Sequence, residues 1–488
     1  MHDLLRIEPR AGESLEDILF RHGVEFPCGG ESNCGGCRIR VIEGEIAITA
    51  EMRDTLTAAE LTAGWRLGCR ARAAGPVTLE IGQWQVKVLT DEAELPWEPV
   101  HGLGVAVDVG TTTLVAQLLD LETGEVTGVR TGLNPQCRHG ADIMSRIRFD
   151  MEQPGVLKAL IRREIGAMVA DMAAGRELRE VLLAGNSVMH HLFSGLDVEP
   201  LSHVPFETEA GGQRWFSAGE LGWELCGPCQ VSFLPSLGSF VGSDILAGIV
   251  ATGMLHSVGL EALVDLGTNG EIVAGGADGF VCASTAAGPA FEAGRIRMGM
   301  RASPGAIDRV TVHDGAWNVH VLGGGEPRGI CGSGLVDAAA AGLDLELLLP
   351  SGRFAGQAKE WLLAGPVRLT QADVRELQLA KAAIAAGFDI LAARFGGGSG
   401  QFDRIRIGGA FGNYVSVHSA RRIGLLPAGA ADTEPCGNTA LRGVKMLLLA
   451  PSRRQRTIEE VLSRARHISL AADPAFQDRF VDHMGFAS

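Results

Sequence analysis

Four cysteines have the spacing of a metal-sulfur site. Cys28, Cys34 and Cys37 run C-x5-C-x2-C, and Cys69 follows after 31 intervening residues. An iron-sulfur cluster needs four thiolates converging on one point. The pairs Gly29-Gly30 and Gly35-Gly36 let three of them come from one tight loop whose amides can also hydrogen-bond sulfide. The fourth ligand has to arrive from elsewhere in the fold. Zinc is the competing occupant of four thiolates, although zinc ribbons present two separate C-x2-C knuckles and this segment has one.

A second set of residues suits phosphate and magnesium. The stretch Leu103-Gly-Val-Ala-Val-Asp108-Val-Gly110-Thr111-Thr112-Thr113, with the apolar run to Asp120, reads as strand, tight turn, strand. Its amides and hydroxyls can meet phosphate oxygens, and Asp108 can hold Mg2+ directly or through water. The pattern recurs 157 residues on in Asp265-Leu-Gly267-Thr268-Asn269-Gly270, which predicts a duplicated fold with nucleotide between its halves. Arg404-Ile-Arg-Ile then delivers Gly408-Gly409, where a purine or ribose can lie against bare backbone. Gly332-Ser333-Gly334 opens a helix whose N-terminal amides can face phosphate. Each turn by itself is equally a structural hairpin; their order is what points to a ligand.

Other polar residues carry weaker signals. The strand Val181 to Gly185 delivers Asn186 and Ser187 to a turn near the expected cleft. His190 and His191 read as packing or capping residues, since no third ligand stands at a recognisable spacing. Cys226-Gly-Pro-Cys229 is a lone C-x2-C, open to redox or metal duty or to neither.

The elements that must position these residues are legible in outline. Leu4 to Ile7 alternates like a strand, Ser14 caps a short helix, and Leu67 ends a strand just before Cys69. An acidic, proline-punctuated stretch from Asp91 to Pro99 has no period. These features divide the chain into a cysteine-bearing domain at 1–84, a linker at 85–101 and a nucleotide domain at 102–488, with halves of about 102–258 and 259–488. A linker this short, at up to about 3.5 Å per residue, still lets an undocked module travel tens of ångströms. Near the C-terminus, Thr457 to Ile468 reads as helix, and Phe476, Phe480, Met484 and Phe486 form an apolar face expected to pack on the body.

Composition narrows the function class. With 46% hydrophobic and 21% charged residues, disorder is excluded as the default. A formal charge of -15 argues against nucleic acid or an anionic membrane as partner. No apolar run approaches the roughly 20 residues of a membrane span, and Asp3, Arg6, Glu8 and Arg10 interrupt any leader-like opening. Ten cysteines are too sparse for a disulfide scaffold. The expectation is a cytoplasmic protein.

The cysteine spacing resembles the adrenodoxin and putidaredoxin branch of [2Fe-2S] ferredoxins. That implies a β-grasp domain with the cluster on Cys28, Cys34, Cys37 and Cys69. The three glycine-rich elements resemble, in order and spacing, the phosphate-1, phosphate-2 and adenosine motifs of the superfamily of acetate and sugar kinases, heat-shock chaperones and actin (ASKHA). The implied fold class is α/β and α+β: the ferredoxin plus a duplicated actin-like, RNase H-like ATPase domain. The implied site has catalytic Asp108 and Asp265, with ATP and Mg2+ on Gly110, Thr111, Thr112, Gly267, Thr268, Asn269, Gly332, Ser333, Gly334, Gly408 and Gly409. The loop at Cys331 resembles that of the dehydratase-activator branch, in which a nearby cysteine ligates a shared [4Fe-4S] cluster. With a ferredoxin set already complete, Cys331 is read instead as a buried thiol.

The order of modules resembles the reductive activators of corrinoid proteins. That implies ATP-driven one-electron reduction of Co(II) to Co(I) in a corrinoid protein of a methyltransferase system. It also implies a protein or small-molecule reductant and a homodimer through the ATPase domain. The chain departs from the larger activators in having only a short linker where they carry a middle domain. Alternatives are an activator of a radical dehydratase or reductase, a small-molecule kinase with a regulatory ferredoxin, and a non-catalytic redox sensor.

Overall fold

A computed structural model describes residues 4–8, 15–22, 24, 37–73, 75–81, 95–140, 142–204, 206–208, 210–267 and 269–487. Of the expected site residues, Cys28, Cys34 and Thr268 lie outside these, as does most of the expected linker.

The N-terminal strands β1 (Leu4–Ile7), β2 (Arg38–Glu43), β3 (Trp65–Leu67) and β4 (Val77–Ile81) form an antiparallel sheet in the order β1-β4-β2-β3. Strand alternation puts Val77, Leu79 and Ile81 of β4 into a core shared with Leu15, Leu19, Ile39 and Leu67. The helix Leu15–Arg21 contributes the first two of these. This is the sheet and helix that a small ferredoxin-type domain needs.

Two further sheets repeat one topology. The first has β5 (Leu103–Val109), β6 (Thr113–Asp120), β7 (Val126–Leu133), β8 (Leu178–Gly185), β9 (Arg214–Ser217) and β10 (Gln230–Phe233), ordered β7-β6-β5-β8-β10-β9. The second begins with β11 (Glu261–Leu266), β12 (Gly270–Gly276) and β13 (Gly279–Thr285). After an insertion bearing β14 (Ala306–His313), β15 (Ala316–Val321), β16 (Gly329–Ile330), β17 (Glu360–Ala364) and β18 (Val367–Thr370), it resumes with β19 (Arg404–Gly408), β20 (Asp432–Gly437) and β21 (Ala465–His467). Its order is β20-β19-β11-β12-β13-β21. In both sheets a three-strand antiparallel meander is followed by two parallel strands added beside its first strand. This is the duplicated RNase H-like arrangement of the actin-like superfamily.

The middle strands are buried on both faces, as the near-continuous apolar run of β5 requires. Val105, Val107 and Val109 enter a core with the helices Val156–Ala173 and Ser187–Ser194. Ala106 enters another, shared with Leu263 and Val273 of the second sheet and with the helices Ser243–Thr252 and Thr439–Leu449. These two helices approach closely at Gly443, where a Cβ would meet the Ala247 carbonyl oxygen at 1.9 Å.

The chain divides into two compact units. One holds Met1–Lys87, Cys137–Ala141 and Pro289–Leu377, and the other holds Val88–Gln136, Asp142–Gly288 and Gln378–Ser488. This division cuts across the boundaries expected from sequence, because Pro289–Leu377 groups with the cysteine-bearing sheet.

One expectation for the C-terminal stretch is corrected. The helix is Pro451–Arg464, and Ala465–His467, read as its continuation, is a strand paired in parallel with β13. Sheet pairing overrides local helical pattern there. Phe486 is buried, as expected, beside Lys381. Among the described residues no helix is long and apolar enough to cross a membrane.

Candidate active site and thiol pair

In the N-terminal sheet, Cys37 stands just before β2 and Cys69 in a short 3-10 turn after β3. Their Sγ atoms are 3.3 Å apart, both thiols are buried, and neither is in a disulfide. The Cys69 amide points at the Cys37 Sγ at 3.5 Å, and the Gly68 amide donates to the Cys37 carbonyl at 2.7 Å. Two thiols brought into contact from separate elements, with an amide aimed at sulfur, fit two ligands of one iron-sulfur cluster.

The nucleotide turns lie in the other unit. At the first, the Gly110 amide donates to the Thr113 carbonyl at 3.1 Å. A Cβ on Gly110 would meet that oxygen at 2.5 Å, so the turn requires glycine. Asn134 Nδ2 donates to the Gly110 carbonyl at 2.9 Å, and Asn186 Nδ2 to Thr111 Oγ1 at 2.9 Å. At the second, the Gly267 amide donates to the Asn269 carbonyl at 3.1 Å.

Asp265 lies opposite Glu271 across the β11–β12 hairpin and beside Gly408 of β19. Gly408 and Gly409 need to be glycine because of Asp265 and Thr439. A Cβ on Gly409, whose φ is +82°, would lie 2.5 Å from Asp265 Oδ1, and one on Gly408 would lie 2.8 Å from Thr439 Oγ1. The bare backbone expected to receive a purine therefore already accommodates a carboxylate.

Four acidic groups gather here. Asn438 Nδ2 donates to Asp108 Oδ2 at 2.9 Å. Asp244, at the start of its helix, is set there because Gly242 packs on Gly185 and Asn186 and Ser243 hydrogen-bonds Gly185. Burial pushes Asp108 up to about 6, and the Asn438 hydrogen bond pulls against it. Burial raises Asp265 to about 7, with the Asp108 charge adding to it. Burial, then Asp265, raises Asp244 to about 8. Glu271 is held well above the usual carboxylate range by burial and by Asp244 and Asp265. None of the four has an ion-pair partner among the described residues. A divalent cation would relieve this charge.

No three His, Cys, Asp or Glu side chains among the described residues converge closely enough to hold a metal.

The structure thus brings Asp108 and Asp265, expected at the site, together with Asp244, Glu271 and Asn438, which the sequence reading did not single out. Glu271 was within reach, because a hairpin turning at Gly267–Asn269 sets it across from Asp265. Gly332, Ser333 and Gly334 belong to the unit with the thiol pair, in the first turn of the helix Gly332–Asp344. There Ser333 Oγ donates to the Asp308 carbonyl at 2.9 Å, and a Cβ on Gly334 would strike the Ile307 carbonyl at 2.2 Å.

Cys331 is buried, its Sγ 3.3 Å from Ser333 Oγ, and burial raises its pKa. Cys226 is exposed, and burial pushes Cys229 up to about 11, away from thiolate chemistry. The buried rings of His190 and His191 bond the Gly212 and Ser187 carbonyls, which is packing as expected.

A repeated RNase H-like sheet around paired carboxylate turns, carried in one chain with a ferredoxin-type sheet, defines a class: ferredoxin-fused ATPases of the ASKHA superfamily. Residues 4–74 match the 2Fe-2S iron-sulfur cluster binding domain, 103–257 the RACo middle region, and 260–488 the C-terminal domain of RACo, the ASKHA domain. The chain is 33% identical over 423 residues to the corrinoid activation enzyme RamQ of Eubacterium limosum, covering 79% of this chain and 70% of that one. It is 28% identical over 428 residues to the [Co(II) methylated amine-specific corrinoid protein] reductase of Methanosarcina barkeri, covering 78% and 77%. The solved structure of a reductive activator for corrinoid, iron-sulfur protein superposes with a TM-score of 0.71 at 25% identity, covering 98% of this chain and 96% of that one. The chain belongs to the family of reductive activators of corrinoid proteins. The expectation of a missing middle portion is corrected, since the stretch read as the first ATPase half matches the family's middle region.

Proposed function

We propose that this protein uses ATP to drive one electron from a [2Fe-2S] cluster onto a corrinoid protein, returning inactive Co(II) to Co(I) in a methyl-transfer system. The observation that carries the reading is the carboxylate group of Asp108, Asp244, Asp265 and Glu271 at the glycine turns, in a chain that also brings Cys37 and Cys69 together. It gives an electron carrier a site for a cation and nucleotide. A ferredoxin donates at moderate potential and Co(I) is a much stronger reductant, so delivery needs a second source of free energy.

Cys28, Cys34, Cys37 and Cys69 would hold the cluster, which supplies one-electron transfer when bound. Gly110, Thr111, Thr112, Gly267, Thr268 and Asn269 would present amides and hydroxyls to phosphate oxygens, with the backbone at Gly408 and Gly409, packed over the Asp265 carboxylate, as a further nucleotide contact. Asp108 and Asp265 would hold Mg2+ and orient water, and Asn438 keeps the Asp108 carboxylate in place. A protein or small-molecule reductant, a cytoplasmic setting and a homodimer through the ATPase domain belong to the same proposal.

The test mixes the reduced protein and ATP with a Co(II) corrinoid protein and follows the Co(I) absorbance. Asp108→Ala should abolish the ATP stimulation while leaving the visible spectrum of the cluster unchanged. Undiminished stimulation in that variant would remove Asp108 from the site. Stoichiometric phosphorylation of a small molecule would favour a kinase instead.

A further inference from the structure

Glu80 occupies an unexpected environment. In β4 the residues Val77, Leu79 and Ile81 point into the core, so Glu80 points to the opposite face of the sheet. A glutamate on that face would ordinarily be solvated, yet Glu80 is only 6% exposed. Its Oε2 lies 3.5 Å from Arg40 Nη1, directly across the β2–β4 pairing. Its Oε1 accepts a 2.7 Å hydrogen bond from Nη2 of Arg328, far along the chain in the Pro289–Leu377 segment of the same unit.

Arg328 is set in place by its own backbone. Its amide donates to the Gly305 carbonyl at 2.8 Å, and its stem crosses Gly305, where a Cβ would come within 2.8 Å of Cδ.

We infer that the ferredoxin-type domain docks reversibly on the Pro289–Leu377 segment through the outer face of its sheet, with the Glu80–Arg328 pair as the latch. Arg40 stands three residues from Cys37, roughly 10 Å along the strand, so the latch fixes the end of the sheet that carries a cluster ligand. The desolvation of such a pair offsets much of its attraction, so it can open, and salt favours the released form, in which both charges are exposed and screened. The free carrier expected from the short linker thereby becomes a docked one in exchange with a released form. This inference stands on the geometry of one face and is independent of the corrinoid reading.

The test uses the full-length, cluster-loaded protein with Arg328→Lys and a water-soluble carbodiimide. The reagent activates a carboxylate and takes up the water lost as an amine in contact with it forms an amide. Mass spectrometry of the digest should then find the Glu80 carboxylate joined to the amine introduced at position 328 at low salt, with a yield that falls severalfold near ~1 M salt, where the screening length is about 3 Å. Other cross-links without this one would overturn the docking, and a yield indifferent to salt would overturn its reversibility. In Arg328→Glu, hydrogen exchange should rise at least severalfold around Gly305 and Gly329 while the cluster spectrum stays unchanged. Unaltered exchange would also overturn the inference.

Discussion

Asp265 and Glu271 face each other across two neighbouring strands, an arrangement that costs roughly 0.2–1 kcal/mol when both are charged. A fold built for stability alone would avoid it, and a site that must attract a cation needs it. Replacing Glu271 by Gln should therefore stabilise the nucleotide-free protein by up to about 1 kcal/mol and reduce ATP hydrolysis at least tenfold. The sign with pH follows from the raised pKa of Glu271. The folded state keeps the proton to higher pH than the unfolded chain, so this group's contribution is present in acid and lost as pH rises. The gain from the amide should thus be larger at pH 8 than at pH 5, as thermal melts at both values can measure. A destabilised Glu271→Gln at pH 8 would mean that the carboxylate has a structural partner and that the cation site lies elsewhere.

The elements that carry these residues differ in how plainly they were written in the sequence. Asp108 and Asp265 could be found because each sits where an alternating apolar run meets a glycine turn, a local pattern. Asp244 and Asn438 could not, because they come from helix starts brought to the site by packing, such as Gly242 on Asn186 and Gly443 on Ala247. Gly408-Gly409 was legible as a special turn, but what it accommodates is the Asp265 side chain. Gly409→Ala, with its Cβ forced against Asp265 Oδ1 at a φ of +82°, should cost about 1–3 kcal/mol and lower ATP hydrolysis more than tenfold. Gly398→Ala, whose Cβ meets nothing within 4 Å, should stay within about 0.5 kcal/mol of the parent. Equal effects of the two would show that the strain does not reach the site. At the C-terminal tail, Lys381 donates to the Gly485 carbonyl and lies over the Phe486 ring, and burial lowers its pKa to about 8. Between about pH 8 and its unfolded value near ~10.4 the unfolded chain binds more protons, so stability should rise with pH in that window. Lys381→Met should remove that rise in urea titrations, and a rise that persists would assign it to another group.

At the scale of the molecule, the thiol pair and the carboxylate cluster belong to different compact units, and nucleotide can influence electron delivery only through states that differ in affinity for both ligands. If ATP tightens binding of the Co(II) corrinoid protein, that partner must tighten binding of ATP by the same factor, typically 5- to 150-fold or about 1–3 kcal/mol. Two variants separate this coupling from the chemistry. Cys69→Ser removes a cluster ligand from one unit and leaves Asp108 and Asp265 in the other unaltered. It should bleach the visible absorbance and abolish cobalt reduction, while a non-hydrolysable ATP analogue still tightens partner binding as in the parent. Asp108→Ala should do the reverse, keeping the absorbance and losing the tightening. Calorimetric titration of partner into each variant, with and without the analogue, measures both terms. A Cys69→Ser protein whose partner binding no longer responds to nucleotide would mean that the cluster domain is itself part of the switch, and that electron and nucleotide are coupled through the docking of that domain.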